Sequence, residues 1–406
     1  MGRKSIIVLI MVWLAFLFSF VDRLSWPPII PLASKSLDIT NAEAGSYMTA
    51  FYIGYVITQL PGGLLTDRFG YRKVLLGSFL IMGCFTMGMG MIHTYLEGFI
   101  MRVLAGLGSG AVFSACVRAI FDWFPSRGRT TAMGFFMTAS SFGLTVVNMF
   151  VPSVAKSYSW HTSFVVAGLL PIAGLILSFF LLKERTHETQ QAQRKSAVQF
   201  WKEVAILLKN RNLMLTGLSG FCAMWATWGT ATWANAYMNK GLHISLVEAG
   251  AIMSVFGLAA IICKPIIGIL SDLLRLRRKT MLFFTLIFFG PILIWFESTT
   301  NISMLYIIAA LMGIAAYIYS PIMNTYIGEL ADSGMVGTAT GLVNTIYQLG
   351  SLFSPLAVGA VIDATHNYLY AFITLAAGPV LAALIILLVN EKVADRQQAV
   401  IKSKVN

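Results

Sequence analysis

The stretch GLLTDRFGYRK, residues 63–73, decides the fold, because it joins two long apolar segments and returns in weaker form in the second half of the chain. The second copy occupies residues 268–279, and its Asp272 lies 205 positions after Asp67 in a chain of 406 residues. Two homologous halves that each consist of apolar segments indicate a transporter built from two membrane-spanning lobes.

The composition places the chain in a membrane. Hydrophobic residues make up 57%, charged residues only 11%, and the mean hydropathy is +0.76, which leaves too little polar surface to cover a soluble globule. Apolar stretches of about 18–25 residues predict membrane-spanning helices. Twelve are centred near Trp13, Gly54, Met82, Gly108, Ser141, Gly168, Ala226, Leu258, Phe288, Ala310, Tyr347 and Val380. The predicted fold is an all-α membrane protein with twelve transmembrane helices in two pseudo-symmetric six-helix bundles.

One long hydrophilic segment interrupts the apolar pattern near the middle of the chain. It predicts an N-terminal six-helix bundle at 1–183, a cytoplasmic linker at 184–212, a C-terminal six-helix bundle at 213–390 and a cytoplasmic tail at 391–406. Within the linker, Trp201 stands among lysines. That pattern suits either an amphipathic helix on the inner leaflet or a solvated linker.

The positions of the 29 Lys and Arg residues predict the orientation in the membrane. Most fall in the termini, the linker and the loops on one side of the twelve spans, and the positive-inside rule assigns that side to the cytoplasm. We therefore expect a multi-pass protein of the bacterial inner membrane with both termini in the cytoplasm. The net charge of +12 then reflects topology and contact with anionic lipid headgroups, rather than nucleic-acid binding.

Each half also repeats a helix-start pattern. Thr40 and Glu43 precede the second span, and Ser245 and Glu248 precede the eighth. A Ser or Thr followed three residues later by Glu forms a capping box. The two glutamates are therefore interpreted as helix starters, with a proton-carrying role as the alternative.

GLLTDRFGYRK resembles the signature of the major facilitator superfamily, Gly-x-Leu-x-Asp-Arg-x-Gly-x-Arg, at nearly every defined position. In this interpretation Gly63 lets two helices approach closely, Asp67 pairs with arginines, and Gly70 supplies a tight turn. The sequence from Arg102 to Gly110 is similar to the superfamily's fourth-span pattern. The resemblance covers the whole chain and implies gating residues at Asp67, Arg68, Arg72, Arg102, Arg118, Asp122, Asp272 and Arg277. Helix packing is the alternative role of Arg102, and structural anchoring that of Arg118.

Ionisable residues inside predicted spans are costly and indicate function. Four cations and one carboxylate stand out: Asp22, Arg23, Arg102, Arg118 and Lys264. A water-filled cavity lined mainly by these cations would attract an anion and repel a cation. The predicted solute therefore carries negative charge.

Asp22 and Arg23 resemble the first-span pair of the anion:cation symporters. The resemblance implies proton coupling through Asp22 and anion binding by Arg23, and a permanent salt bridge between the two is the alternative. Those symporters carry a glutamate seven residues after the position of Arg102, where this chain has Ser109. Asp22 would then act alone, or transport would be uncoupled.

Lys264 and Pro265 resemble the Arg-Pro pair of monocarboxylate and oxalate/formate porters, in which the arginine meets a substrate carboxylate. The resemblance implies a substrate-binding role for Lys264, with an internal ion pair as the alternative. A small-molecule site also needs apolar walls with a few polar groups. The candidate lining residues are Tyr52, Tyr55, Trp225, Trp228, Tyr347 and Gln348, for which packing and interface anchoring are the alternatives.

An enzyme is not expected, because the five histidines fall in loops and no nucleophile elbow, phosphate loop or metal-binding spacing occurs. No cofactor or metal is predicted. We expect a monomeric secondary transporter that takes up a small organic anion, either a mono- or dicarboxylate or a sugar acid, by alternating access with proton symport. An efflux permease for an amphipathic compound and a transporter-like sensor are the alternatives.

Overall fold

The computed structural model describes the backbone of residues 3–184, 197–274, 277–331 and 335–390. Within these ranges the structure does not describe the side chains at positions 3, 60, 126, 127, 130, 197–200 and 268–274. All regular structure in the described ranges is helical, which confirms the all-α prediction.

The first half of the chain forms helices α1 to α8, with a 3-10 turn at Pro27–Ile29. Their bounds are Arg3–Leu24 (α1), Ile30–Leu37 (α2), Asn41–Phe69 (α3), Tyr71–Met89 (α4), Tyr95–Gly110 (α5), Val112–Trp123 (α6), Ser126–Ser157 (α7) and Trp160–Leu181 (α8). The second half, with a π-helical turn at Tyr237–Gly241, forms Ala197–Leu208 (α9), Arg211–Ala236 (α10), Leu246–Leu274 (α11), Arg278–Ile287 (α12), Phe289–Ser298 (α13), Ile302–Leu330 (α14), Val336–Thr365 (α15) and Tyr368–Leu387 (α16).

In the described residues, ten helical segments are long and apolar enough to cross a membrane. The fourth predicted span corresponds to α5 with α6, and the ninth to α12 with α13. The second and seventh predicted spans are α3 and α10, which are 29 and 26 residues long but are not among the ten. Both contain several Gly and Thr residues, which lower their hydropathy. When these two helices are added, the described part of the chain contains the twelve spans that the sequence predicts.

The chain folds into two compact units. Unit 1 comprises Met1–Gln190, Ala231–Ile261 and Pro355–Tyr368, and unit 2 comprises Gln191–Thr230, Ile262–Ser354 and Leu369–Asn406. Unit 1 thus includes two segments from the second half of the sequence. The division into lobes at 1–183 and 213–390 stays a prediction. Part of the predicted linker, 185–196, and the whole tail, 391–406, lie outside the described residues.

In unit 1, α3 and α5 pack backbone to backbone through glycines. A Cβ added at Gly54 would collide with the carbonyl oxygen of Val103, and one at Gly106 would collide with that of Phe51. Small residues allow this close approach between membrane helices. The packing fixes α3 beside the part of α5 that carries Arg102.

The close approach predicted at Gly63 is wrong. No atom of the described residues lies within 4 Å of the position that its Cβ would take. The neighbouring Gly62 makes such an approach instead, because its Cβ would lie 2.8 Å from the α-carbon of Ala111. Adjacent residues of a helix are about 100° apart around its axis, so the sequence pattern indicated the correct segment but the wrong face.

The helix starts predicted at Thr40 and Ser245 are confirmed. The amide of Glu43 donates to Oγ1 of Thr40 at 3.2 Å, and the amide of Thr40 donates to the Glu43 carboxylate at 2.8 Å. The amide of Glu248 donates to Oγ of Ser245 at 3.2 Å. A further capping box, formed by Thr94 and Glu97 and not predicted from the sequence, begins α5.

Unit 2 has an apolar core of its own. Helices α12 and α13 pack against α14, and buried side chains from several helices meet there: Leu207, Leu213, Leu282, Leu286, Met323, Ile327, Val343 and Ile386. The linker helix α9 is joined to this unit by Glu203, whose carboxylate accepts a hydrogen bond from Oγ1 of Thr338 at 2.6 Å.

Candidate functional site

The last turn of α1 ends beside a buried arginine. The final carbonyls of a helix have no partner within it, and two consecutive prolines in the turn that follows prevent α1 from continuing. Arg102 binds two of these carbonyls, since its Nη1 donates to the oxygen of Asp22 at 3.0 Å and its Nη2 to that of Arg23 at 2.8 Å. Its Nε donates to the carbonyl of Tyr47 at 3.3 Å. One guanidinium therefore joins α1, α3 and α5.

Asp22 is fully buried at this junction. Its Oδ1 accepts a hydrogen bond from Oγ1 of Thr86 on α4 and lies 3.9 Å from Nη1 of Arg102. A buried carboxylate is tolerated when it is paired and hydrogen-bonded, and Asp22 has both kinds of partner. Such a group can exchange a proton when the charge in its surroundings changes.

Arg23, the next residue, lies among aromatic rings. Its Cζ is 4.4 Å from the ring centre of Tyr55, 4.6 Å from Phe20, 5.4 Å from Tyr52 and 5.6 Å from Phe51. The side chain is only 3% exposed. Ring faces attract a cation, so the four rings help to hold the guanidinium in place. Two of the predicted lining residues, Tyr52 and Tyr55, thus contact the predicted anion-binding arginine.

Lys264 is the predicted cation of unit 2. It is half-buried on α11, and its Nζ lies 4.7 Å from the ring centre of Tyr317 on α14. The helix contains Pro265 directly after it, which removes one backbone hydrogen bond from that turn. Lys264 therefore also lies against an aromatic face.

The other predicted lining residues, Trp225, Trp228, Tyr347 and Gln348, belong to unit 2. Three of them are buried: Trp228, Tyr347 and Gln348. The ring of Tyr347 lies so close to α10 that a Cβ at Gly220 would collide with it, and Oγ of Ser354 donates to the carbonyl of Trp225 at 2.7 Å. The predicted binding residues thus form two groups, one on α1 and α3 in unit 1 and one on α10, α11 and α15 in unit 2.

The predicted gating residues Asp67, Arg118 and Asp122 form one cluster in unit 1. Nη1 of Arg118 lies 3.3 Å from Oδ1 of Asp67, and its Nε lies 3.1 Å from Oδ2 of Asp122. The side chains of Arg118 and Asp67 are 46% and 57% exposed. Exposed ion pairs contribute at most about 1 kcal/mol, so this cluster can form and separate at low cost.

The remaining gating candidates have different surroundings. Nη2 of Arg72 donates to the carbonyl of Phe179 in the last turn of α8 at 2.6 Å, which links α4 to α8. Arg68 is exposed and lies 5.3 Å from the ring of the following residue. Arg277 is exposed as well. The side chain of Asp272 lies outside the described residues.

Glu184, which the sequence analysis assigned only to the linker, completes the loop between α3 and α4. Gly70 has a φ of +83°, and the Glu184 carboxylate occupies the space in which a Cβ at Gly70 would lie. This carboxylate accepts hydrogen bonds from the backbone amides of Arg72 and Tyr71 at the start of α4. Burial nevertheless raises the pKa of Glu184 above its ordinary value.

Neutral polar contacts in unit 1 were also missed. The hydroxyls of Ser19 and Ser109 are 2.6 Å apart, and Nδ2 of Asn235 donates to Oδ1 of Asn148 at 2.9 Å. Ser109 stands where the anion:cation symporters have their glutamate. A single Ser barely alters the hydropathy of a span, so the available signal for these contacts was the presence of an Asn in an apolar helix.

Known proteins resemble this chain along nearly all of its length. It is similar to "Probable galactarate/D-glucarate transporter GudP" of Bacillus subtilis (strain 168), with 26% identity covering 95% of this chain and 92% of that protein. It is similar to "Hexuronate transporter" of the same organism, with 22% identity covering 95% and 94%. It is also similar to "Cis,cis-muconate transport protein" of Acinetobacter baylyi (strain ATCC 33305 / BD413 / ADP1), with 25% identity covering 95% and 96%.

The fold is similar to a crystal structure of a bacterial homolog to the human lysosomal transporter Spinster, in an inward-facing and unoccupied conformation. The TM-score is 0.79, the identity is 14%, and 98% of each chain is covered, a likeness that concerns the fold alone. Together with the relatives, it confirms the predicted fold and the prediction of a transporter rather than an enzyme. Residues 11–245 and 216–404 match the Major Facilitator Superfamily, and the chain therefore belongs to that family of multi-pass membrane proteins.

Proposed function

We propose that the protein is a secondary transporter for a small organic anion, a mono- or dicarboxylate or a sugar acid, that works by alternating access. The observation that carries this proposal is the position of Arg23, a buried guanidinium held among four aromatic rings at the end of α1. A guanidinium can bind a carboxylate through two parallel N–H donors. The names of the relatives, which refer to galactarate, D-glucarate, hexuronate and cis,cis-muconate, support an anionic solute.

The proposal includes further candidate binding groups. Tyr52 and Tyr55 hold the guanidinium of Arg23, and Lys264 is the candidate cation of unit 2. The positive charges of Arg23 and Lys264 disfavour a cationic solute, because like charges repel.

Protons are the proposed driving ion, and Asp22 is the proposed carrier. Support comes from its full burial, from its contacts with Thr86 and Arg102, and from its position next to Arg23. Because Arg23 directly follows Asp22 in the sequence, an anion bound at Arg23 would lie near the Asp22 carboxylate. Electrostatic repulsion between the two negative charges would favour protonation of Asp22. Binding of solute and binding of a proton would then assist each other.

Counterflow in proteoliposomes tests the solute class. Vesicles loaded with galactarate, D-glucarate, a hexuronate or cis,cis-muconate should accumulate labelled substrate of the same class, and neutral sugars should not compete. Accumulation should increase when the outer pH is lowered below the inner pH. Transport of a neutral sugar that no anion inhibits would refute the proposal.

A matched pair of variants tests the role of Arg23. Arg23→Gln should abolish saturable anion binding, whereas Lys156→Gln, which removes an exposed cation from unit 1, should leave it unchanged. Unchanged affinity in Arg23→Gln, in protein with the parent's melting temperature, would exclude Arg23 from the site.

The topology completes the proposal. We propose that the protein lies in a bacterial inner membrane, with both termini and the linker in the cytoplasm, and that it acts as a monomer of two lobes. A cysteine introduced at exposed Asn367 should react with a membrane-impermeant maleimide added outside intact cells. A cysteine introduced at exposed Lys73 should react only after lysis, and the opposite result would reverse the assignment.

A further inference from the structure

One carboxylate joins the start of α3 to the end of α15. Oδ1 of Asp363 accepts hydrogen bonds from the backbone amide of Asn41 at 3.0 Å and from its Nδ2 at 2.7 Å, and Oδ2 accepts from the backbone amide of Ala42 at 2.7 Å. We call these three residues the α3–α15 clamp. All belong to unit 1, although α3 comes from the first half of the sequence and α15 from the second.

The clamp is not needed to begin α3. That helix already has a complete capping box, and water can satisfy the amides of a first turn at a protein surface. A carboxylate at a helix N-terminus is favoured by the helix dipole and forms charge-assisted hydrogen bonds. Lys240 also interacts electrostatically with Asp363. The principal effect of Asp363 is therefore to hold α15 against α3.

The two helices touch along a seam next to the clamp. A Cβ at Gly45 would collide with the carbonyl oxygen of Pro355, and one at Gly359 would collide with that of Asn41. The residues involved recur every four positions, at 41 and 45 on α3 and at 355, 359 and 363 on α15. This spacing places them on one face of each helix. Because neither glycine has a side chain that could bridge a gap, these contacts would be lost as soon as the two backbones moved apart.

We propose that Asp363 is a gating residue, whose three hydrogen bonds hold this end of the transporter shut and break in each transport cycle. The inference rests on the proposed function, because alternating access requires the two homologous halves to separate at the side that opens. When the end of α15 leaves α3, the carboxylate exchanges three protein donors for water. The strength of the clamp then sets the ratio of closed to open molecules at this end.

A spin-label distance measurement on the full chain in liposomes tests the proposal. The four native cysteines are replaced, and labels are attached to cysteines at Ser36 and Ala364, both exposed and close in sequence to the two sides of the clamp. Asp363→Asn keeps the shape of the side chain and removes its charge. We expect the ratio of long to short label distances to rise about tenfold, which corresponds to about 1.4 kcal/mol.

Two further variants serve as a control and as a second, weaker disruption of the clamp. Asp38→Asn removes an exposed carboxylate three residues before Asn41 and should leave the distances unchanged. Asn41→Ala removes one of the three bonds and should shift the ratio in the same direction by a smaller factor, which keeps the test available if Asp363→Asn does not fold. Identical distance distributions in the parent and in whichever clamp variant folds would overturn the proposal.

The measurement needs no solute, so it separates the two hypotheses. If the distances shift but no anion is transported, the proposed solute class is wrong and the clamp stands. If anions are transported and the distances do not shift, the clamp is wrong and the transport function stands.

Discussion

Arg102 contacts Asp22 in two ways, since its Nη1 donates to the backbone oxygen at 3.0 Å and lies 3.9 Å from the carboxylate Oδ1. The same guanidinium therefore binds the last carbonyls of α1 and faces the buried carboxylate of Asp22. Movement of Arg102 would affect both the course of the backbone and the electrostatic environment of the candidate proton carrier.

Arg102→Ala should strongly destabilise the protein. Removing one partner of a buried ion pair costs about 3–5 kcal/mol, and here three carbonyls also lose a donor. Arg102→Lys should recover only part of the loss, because an ammonium lacks the fork that reaches several carbonyls. Thermal unfolding in detergent measures the effect. Arg118→Ala, at an exposed pair, is the control, and an equal loss of melting temperature in both variants would contradict the buried role.

Asp22→Asn should uncouple transport from protons. An asparagine keeps the shape and an acceptor for Thr86, but it cannot carry a proton across the membrane. Exchange of labelled for unlabelled solute should persist at a rate that no longer depends on pH, while accumulation driven by a pH gradient should disappear. Asp38→Asn serves as the control, and gradient-driven accumulation by Asp22→Asn would assign the coupling to another group.

Gly106→Ala should lower the melting temperature, because its Cβ would collide with the carbonyl of Phe51 and push α5 away from α3. Overpacking of this kind costs about 1–3 kcal/mol. Gly134→Ala provides the comparison, since no described atom lies within 4 Å of its Cβ position and alanine favours a helix by about 1 kcal/mol over glycine. If Gly106→Ala were as stable as Gly134→Ala, the backbone packing between α3 and α5 would be disproved.

Gly70→Ala should destabilise the loop between α3 and α4. Its φ of +83° and ψ of 153° define a conformation that costs other residues about 1–3 kcal/mol, and a methyl group there would displace the Glu184 carboxylate. Gly77→Ala, within α4 and with open space around its Cβ position, should be neutral or stabilising. Thermal unfolding of both variants decides whether the backbone conformation is responsible.

Local patterns in the sequence predicted the helices and their starts well. Hydropathy located the spans, and the Ser or Thr to Glu spacing located the first turns of α3 and α11, because both signals depend on neighbouring residues. The contact of Tyr52 and Tyr55 with Arg23 was not predicted, although all three residues were named as candidates for the site.

Interactions with backbone atoms were not predictable in the same way. Three partners of Arg102 are backbone carbonyls, and two partners of Asp363 are backbone amides. Nearly every residue has these groups, and no side-chain pattern marks them. Asp363 and Asn41 are also 322 positions apart, and neither belongs to the repeated motif. The sequence also does not show which face of a helix a glycine occupies. The close approach was predicted at Gly63, and Gly62 makes it instead.

The composition of unit 1 has a consequence for experiments that split the chain. A fragment ending at the linker would lack 231–261 and 355–368. The glycine backbone of its α3 and the amides of Asn41 and Ala42 would therefore lose their partners on α15. Such a fragment should be prone to aggregation when made alone. It should recover when the complementary fragment is synthesised in the same cell, because that fragment supplies the missing stretches of helix.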